Sequence, residues 1–285
     1  MLALKGMSLT SIAKQVRKDI LVMLNAAGSG HAGSSLSSVE LLVSLYFGSK
    51  EDWRLSHKPA APHWDGRDYI VLSKGHAAPA LYTVLARAGY FPVEELKTLR
   101  KINSRLQGHV NIKVPGVEVN AGSLGQGISA AVGMAFALKR EGKPNRVYAI
   151  LGDGELDEGE TWEAFRDAVH EKLDNLCIII DRNHYQQDGE TDTITSCEPV
   201  VDKLEAYGLE TEEIDGHNFD EILTALSMMN VPRNRPYAII AETVKGKGVS
   251  FIEADAVKWH GRAPNDEELK LALQELDSAD EEDSE

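Results

Sequence analysis

Two wholly apolar runs, Val147-Tyr148-Ala149-Ile150-Leu151 and Leu176-Cys177-Ile178-Ile179-Ile180, each lead straight into an acidic turn. Short runs without polar alternation form strands buried on both faces, which occur almost only in parallel sheets covered by helices. Between them Trp162, Phe165, Val169 and Leu173 recur at helical spacing. A β-α-β unit follows. Its two turns, Gly152-Asp153-Gly154-Glu155 and Asp181-Arg182-Asn183, fall at the carboxyl edge of adjacent parallel strands, where open α/β sheets bind ligands. Asp153 and Asn183, thirty positions apart in sequence, thereby become spatial neighbours.

Asp offers a hard anionic oxygen and Asn a neutral one, a pair suited to Mg²⁺ that keeps its other positions for phosphate oxygens and water. Gly154 lets the backbone approach such a ligand without a Cβ, and the following helix directs free N–H groups towards it. Asp153 alone would also serve as a helix N-cap. Asn183 at the matching strand end favours the metal reading.

The remaining pattern continues the same architecture. A helix over 8–27, a Gly/Ser loop, a helix over 38–47, a strand over 69–72 and a helix over 77–88 lead into a loop-rich stretch, 103–123. A helix rich in small residues covers 128–135, and strands near 209–214 and 236–241 flank a helix over 219–228. This alternation predicts an α/β fold with a doubly wound parallel sheet. Five of the nine histidines, His31, His76, His109, His217 and His260, adjoin a glycine and so sit on turns. An imidazole near its ordinary pKa can accept and return hydroxyl protons at neutral pH. His217, in Asp215-Gly216-His217-Asn218, reads instead as part of a turn before a helix, and His57, His63, His170 and His184 have no assigned task.

At 285 residues the chain holds one large domain. The formal charge is −15, but 266–285 carries ten Asp or Glu against one Lys, so −9 lies there and −6 in the rest. The expected division is a binding domain over 1–265 and an acidic tail over 266–285, disordered because its charge gives it little apolar area to bury. Nucleic-acid binding is disfavoured. Cys177 falls inside a strand, so no disulfide framework is implied. Leu9, Ile12, Val16 and Ile20 are spaced helically between basic residues, unlike a signal peptide, and no run reaches the ~20 apolar residues of a membrane helix. A cytoplasmic protein is expected.

The GDG turn, a further acidic residue and the Asn about thirty residues on resemble the thiamine diphosphate signature of transketolases. Gly30-His31-Ala32-Gly33, Leu72-Ser73-Lys74-Gly75-His76, Gly108-His109, Pro115-Gly116-Val117-Glu118-Val119, Gly122-Ser123-Leu124-Gly125-Gln126-Gly127 and Trp259-His260-Gly261 resemble transketolase segments in family order. The resemblance covers about 10–265 and corresponds to the family's amino-terminal, diphosphate-binding domain, a thiamine diphosphate-binding fold.

The resemblance implies thiamine diphosphate and Mg²⁺, or another divalent cation such as Ca²⁺, held by Asp153, Asn183 and the backbone carbonyl of Tyr185. It puts His31, His76, His109 and His260 along the channel to the thiazolium, at the diphosphate or at substrate hydroxyls, and Glu158 at the interface between two cofactor-binding domains. Gly122, Ser123, Leu124, Gly154, Glu155 and Lys245 fall at cofactor-binding positions, and Lys74 matches a lysine near the cofactor in some members. Ala32, Val110 and Ser123 replace prolines common in the family, and Glu155 replaces a small residue, a pattern associated with split members. The implied protein is the amino-terminal subunit of a two-chain transketolase acting on sugar phosphates, its partner carrying the pyrimidine-binding domain in a heterotetramer. An alpha subunit of a 2-oxo acid dehydrogenase and a non-catalytic thiamine-binding or assembly module are the alternatives.

Overall fold

The structure, a computed structural model, describes residues 6–282. Five strands, β1 (Tyr69–Leu72), β2 (Val147–Gly152), β3 (Leu176–Arg182), β4 (Glu210–Asp215) and β5 (Tyr237–Glu242), form one sheet in the order β1-β2-β3-β5-β4. Every pairing is parallel. Register places Gly152 opposite Asp181, and Asp181 opposite Ala241. The acidic turns therefore end at one level.

Alternate residues of β1, β2, β3 and β5 enter separate cores. Tyr148, Ile150, Cys177, Ile179 and Ile239 pack with α1 (Leu9–Ala27), α2 (Ala32–Ser37), α3 (Val39–Phe47), α4 (Ala78–Ala88) and, further along the chain, α9 (Phe219–Ser227). Val147, Ala149, Leu151, Ile178 and Ile240 pack with α5 (Gln126–Arg140), α6 (Gly159–His170) and α8 (Val200–Tyr207). Short helices α7 (Thr191–Ile194) and α10 (Ser250–Glu253) decorate loops at the sheet's carboxyl edge. The doubly wound parallel sheet expected from the apolar runs is the observed fold. The chain leaves β1 towards the first face, β2 and β3 towards the second, and β5 towards the first again. Diverging connections open a crevice over the carboxyl ends of these strands. Edge strand β4 is different: Glu210, Glu212, Glu213 and Asp215 leave only Ile214 buried along it.

Two expectations are corrected. The Gly/Ser stretch contains α2, whose six residues are all buried. Small side chains there let the backbone lie against its neighbours: a Cβ on Gly33 would stand 3.0 Å from Lys245 Cγ and 3.4 Å from the Trp259 carbonyl. The acidic tail forms α11 (Asp266–Glu282) over its described part, whereas residues 283–285 lie outside the described residues. Leu269, Ala272, Leu273 and Leu276 recur at i, i+3, i+4 and i+7, and Ala272 and Leu276 are buried against the core that contains α1. Lys18 pairs with Asp277, and the Ser250 N–H donates to Glu275 at 2.7 Å. Asp266, Glu267 and Glu268 occupy the first turn, where negative charge favours the helix dipole. Net charge concealed this apolar stripe.

Candidate functional site

A cleft of about 420 Å³ opens over the carboxyl ends of the strands, lined by His31, Lys74, His76, His109, Gly122, Leu124, Asp153, Gly154, Glu155, Glu158, Asn183, Tyr185 and His260, among others. The sequence-predicted residues thus converge, with two exceptions. Ser123 is exposed and lies outside the lining, and Lys245 approaches from an adjoining cavity of about 440 Å³.

Asp153 stands at the end of β2, 6 % exposed. One oxygen accepts the Gly154 N–H at 3.0 Å and the other accepts the backbone N–H of His184. His184 adopts a left-handed conformation, φ 63°, directly after Asn183. That turn brings the β3 end back onto β2. Burial and the nearby Asp181 carboxylate push the Asp153 carboxyl up to about 7. A buried acid displaced in this way is stabilised by a cation. Asn183, 5 % exposed, stands beside it, and Tyr185 lines the same cleft. One carboxylate plus neutral oxygens is the donor chemistry of Mg²⁺, which takes its remaining ligands from phosphate and water. The residues present fit such an ion.

Beneath them lies a pair that pattern reasoning did not assign. Asp181, 0 % exposed, pairs with Lys74 and accepts hydroxyl hydrogen bonds from Thr243, Ser37 at 2.7 Å and Ser38 at 3.0 Å. Burial acts to raise its pKa, but Lys74 and these hydroxyls outweigh burial and hold the carboxyl below its ordinary value. In sequence Asp181 reads only as the residue that ends a strand, and Lys74 as a match to a family lysine near the cofactor, with no link between the two. The signal is three-dimensional: α2 and the residue after it contribute two consecutive serines to the floor.

Glu155 is 1 % exposed. Its Oε1 accepts the Gly125 N–H at 2.8 Å and the Ser73 hydroxyl, joining the loop after β1 to the start of α5. Oε2 is buried without a partner among the described residues, and burial pushes the carboxyl up to about 6. Close packing of this joint depends on Gly127, where a Cβ would stand 2.6 Å from Ser73 Cα. Glu158, by contrast, is exposed at the start of α6 and lines the rim.

Four imidazoles form one array. Ring centroids lie 5.2 Å apart for His31–His76, 5.8 Å for His31–His109, 5.3 Å for His31–His260 and 5.4 Å for His76–His260. Burial, then neighbouring positive groups, lowers the pKa of each: His31 to about 4, His260 to about 3, and His76 and His109 below the ordinary value. The array is neutral at physiological pH and can accept protons or hydrogen bonds. His31 Nδ1 is buried with no partner among the described residues. Lys245 Nζ lies 3.1 Å from both His260 Nδ1 and the Gln186 carbonyl, and burial lowers its pKa to about 8. His217 has the structural place expected of it: Nδ1 meets Glu40 at 3.0 Å and Nε2 accepts the Val244 N–H at 2.8 Å.

A parallel sheet with a buried Asp–Asn pair and a neutral imidazole array over its strand ends defines an α/β cofactor-binding enzyme domain. The chain matches the family model for "Transketolase, thiamine diphosphate binding domain" over residues 9–283. It is 43 % identical over 267 residues to the 6-deoxy-6-sulfo-D-fructose transketolase subunit SqwG of Clostridium sp. (strain MSTE9), covering 93 % of this chain and 94 % of that one. It is 42 % identical to an apulose-4-phosphate transketolase subunit from Actinobacillus succinogenes, with coverage of 93 % and 94 %. The crystal structure of transketolase from Campylobacter jejuni superimposes with a TM-score of 0.87 at 34 % identity, covering 94 % of this chain and 42 % of that one. The chain belongs to the transketolase family, as its thiamine diphosphate binding domain. It spans nearly all of the relatives named as subunits and less than half of the solved transketolase. Among the described residues no helix is long and apolar enough to cross a membrane.

Proposed function

We propose that this chain is the amino-terminal subunit of a two-chain transketolase that transfers a two-carbon glycolaldehyde unit from a ketose phosphate to an aldose phosphate in the cytoplasm. The observation that carries this reading is the convergence of His31, His76, His109 and His260 with Asp153 and Asn183 in one cleft, on a chain co-extensive with relatives named as transketolase subunits. Thiamine diphosphate, when bound, supplies the carbanion equivalent that makes cleavage next to a ketose carbonyl possible.

Asp153, Asn183 and the Tyr185 carbonyl would hold the divalent cation, Mg²⁺ or Ca²⁺, and Lys245 and His76 would offset diphosphate charge from the side of the cleft. Gly122 and Leu124 would form its wall opposite Gly154. The neutral imidazoles would accept hydroxyl protons of the sugar and return them, with His31 Nδ1 free to engage a bound group. Glu158 on the rim would meet the partner, a subunit carrying the pyrimidine-binding domain, in a heterotetramer. The names of the relatives leave two kinds of acidic sugar in view, a branched-sugar phosphate and a sulfosugar.

The test is co-purification from native cells followed by assay. A second chain in about equal amount, with transfer between xylulose 5-phosphate and ribose 5-phosphate or their acidic analogues only when both chains are present, is the expected result. Turnover by this chain alone, or carbon dioxide release from a 2-oxo acid by the complex, would overturn it.

A further inference from the structure

His184 stands in sequence between Asn183 and Tyr185, two of the residues that would hold the cation, yet its side chain lines the adjoining cavity and not the cleft. Its backbone is what meets the site. The His184 N–H donates to Asp153, and its carbonyl accepts the Thr191 N–H at 2.9 Å. Its φ of 63° is left-handed, a conformation that strains a residue with a Cβ and persists only where the surroundings fix it.

Glu242 is the group that fixes it through the side chain. Its Oε2 meets His184 Nε2 at 2.8 Å, and its Oε1 pairs with Arg182. Arg182 and Glu242 lie opposite one another in the register of β3 and β5, and alternation along the strands puts both on the other face from Asp181. The second arm of the Arg182 guanidinium pairs with Glu198, whose Oε2 also accepts the Val200 N–H at the start of α8, at 3.1 Å. Four side chains, Glu198, Arg182, Glu242 and His184, thus run in line from α8 across two strand ends to the metal turn. The planar guanidinium holds its two carboxylates at a set angle. With Arg182 17 % exposed and Glu242 35 %, these pairs add little to global stability. What they fix is position.

We propose that Glu242 is a positioning residue for the divalent cation. Through His184 it holds the left-handed turn that sets Asn183 and the Tyr185 carbonyl against Asp153, while Arg182 and Glu198 hold Glu242 itself. The inference rests on the reading of the cleft as a metal and thiamine diphosphate site. Groups directly behind metal ligands change affinity about 10–100-fold when removed. Glu242 acts one step further out, so the lower end of that range applies.

The experiment titrates the metal-free two-chain complex with Mg²⁺ by calorimetry, in excess thiamine diphosphate, and measures kcat at saturating Mg²⁺. Glu242→Ala and His184→Ala should each weaken Mg²⁺ affinity about tenfold, or ~1.4 kcal/mol. Their kcat at saturating Mg²⁺ should stay within about twofold of the parent, because the loss is in holding the ion. His184→Gly also lacks the imidazole but adopts the left-handed turn without a Cβ, so its affinity should stay within about threefold of the parent. Adding Glu242→Ala to His184→Gly should then weaken binding by less than about twofold, since the two act through one contact. Asp192→Asn removes an exposed carboxylate from the same adjoining cavity and, as a control for general charge, should change affinity less than about twofold. The His184 pair decides the question with Glu242, Arg182 and Glu198 left intact. Equal losses in His184→Ala and His184→Gly would mean that the imidazole itself touches the bound group, and additive losses in His184→Gly with Glu242→Ala would mean that Glu242 acts by charge alone. Either result overturns the proposal, as does unchanged affinity in Glu242→Ala. A parent complex that takes up no Mg²⁺ with thiamine diphosphate would instead refute the cofactor reading beneath it, and this proposal with it.

Discussion

Lys74 and Asp181 form an ion pair with essentially no solvent exposure, directly under the cleft that Asp153 and Asn183 line. A buried pair is weak evidence of net stability against apolar replacements, but removing one member strands the other's charge, which costs about 3–5 kcal/mol. The pair therefore acts as a rigid floor. Asp181→Asn should lower unfolding free energy by roughly that amount in urea titrations, and Lys74→Met with Asp181→Leu should recover a large part of it. A loss below about 1 kcal/mol would show that water reaches the pair.

Thiamine diphosphate with Mg²⁺ should raise the melting temperature of the proposed two-chain complex, because a ligand at 100 times its Kd adds about 2.7 kcal/mol. Asp153→Ala should abolish that shift, and Asn183→Ala should weaken it. Differential scanning fluorimetry with metal, cofactor and both together separates the contributions. A shift that survives Asp153→Ala would place the metal elsewhere.

Acid should weaken the fold through the imidazole array. Unfolded histidines titrate near 6.5, while His31 and His260 in the fold titrate at about 4 and about 3. Between roughly pH 6.5 and 4 the unfolded chain binds more protons, so stability falls as pH falls through that window. Asp153 and Glu155, pushed up to about 7 and about 6, act in the opposite sense. Comparing His31→Asn/His260→Asn with the parent isolates the histidines: the decline in melting temperature from pH 6.5 to 4.5 should be shallower in the double variant.

Ending the chain at residue 265 should cost at least about 2 kcal/mol, since burying one leucine contributes about 1.5–3 kcal/mol and α11 buries Leu276 and Ala272. Guanidinium unfolding of the shortened chain measures this. An unchanged midpoint would return 266–285 to the status of a loose tail.

What was legible in sequence follows from periodicity. Val147–Leu151 and Leu176–Ile180 announced both the strands and their parallel pairing, because only a sheet covered on both faces tolerates such runs. The neighbourhood of Asp153, Asn183 and four glycine-flanked histidines was legible from the strand ends and the family order together. Two kinds of feature were not. Four of the six residues of helix α2 are Gly or Ser, which favour loops, and the helix forms because packing against Lys245 and Trp259 overrides them. Asp181 and Ser37 are distant in sequence, so their contact has no linear signal. For 266–285, net charge outweighed a four-residue apolar stripe that the helical spacing already contained.

Edge strand β4 gives the molecule a further property. A sheet border exposes unpaired backbone groups that invite another strand to add on. Glu210, Glu212, Glu213 and Asp215 place like charges along that border, so two copies approaching edge to edge repel before their backbones can pair. This acidic hem keeps copies of the chain from polymerising through the sheet border.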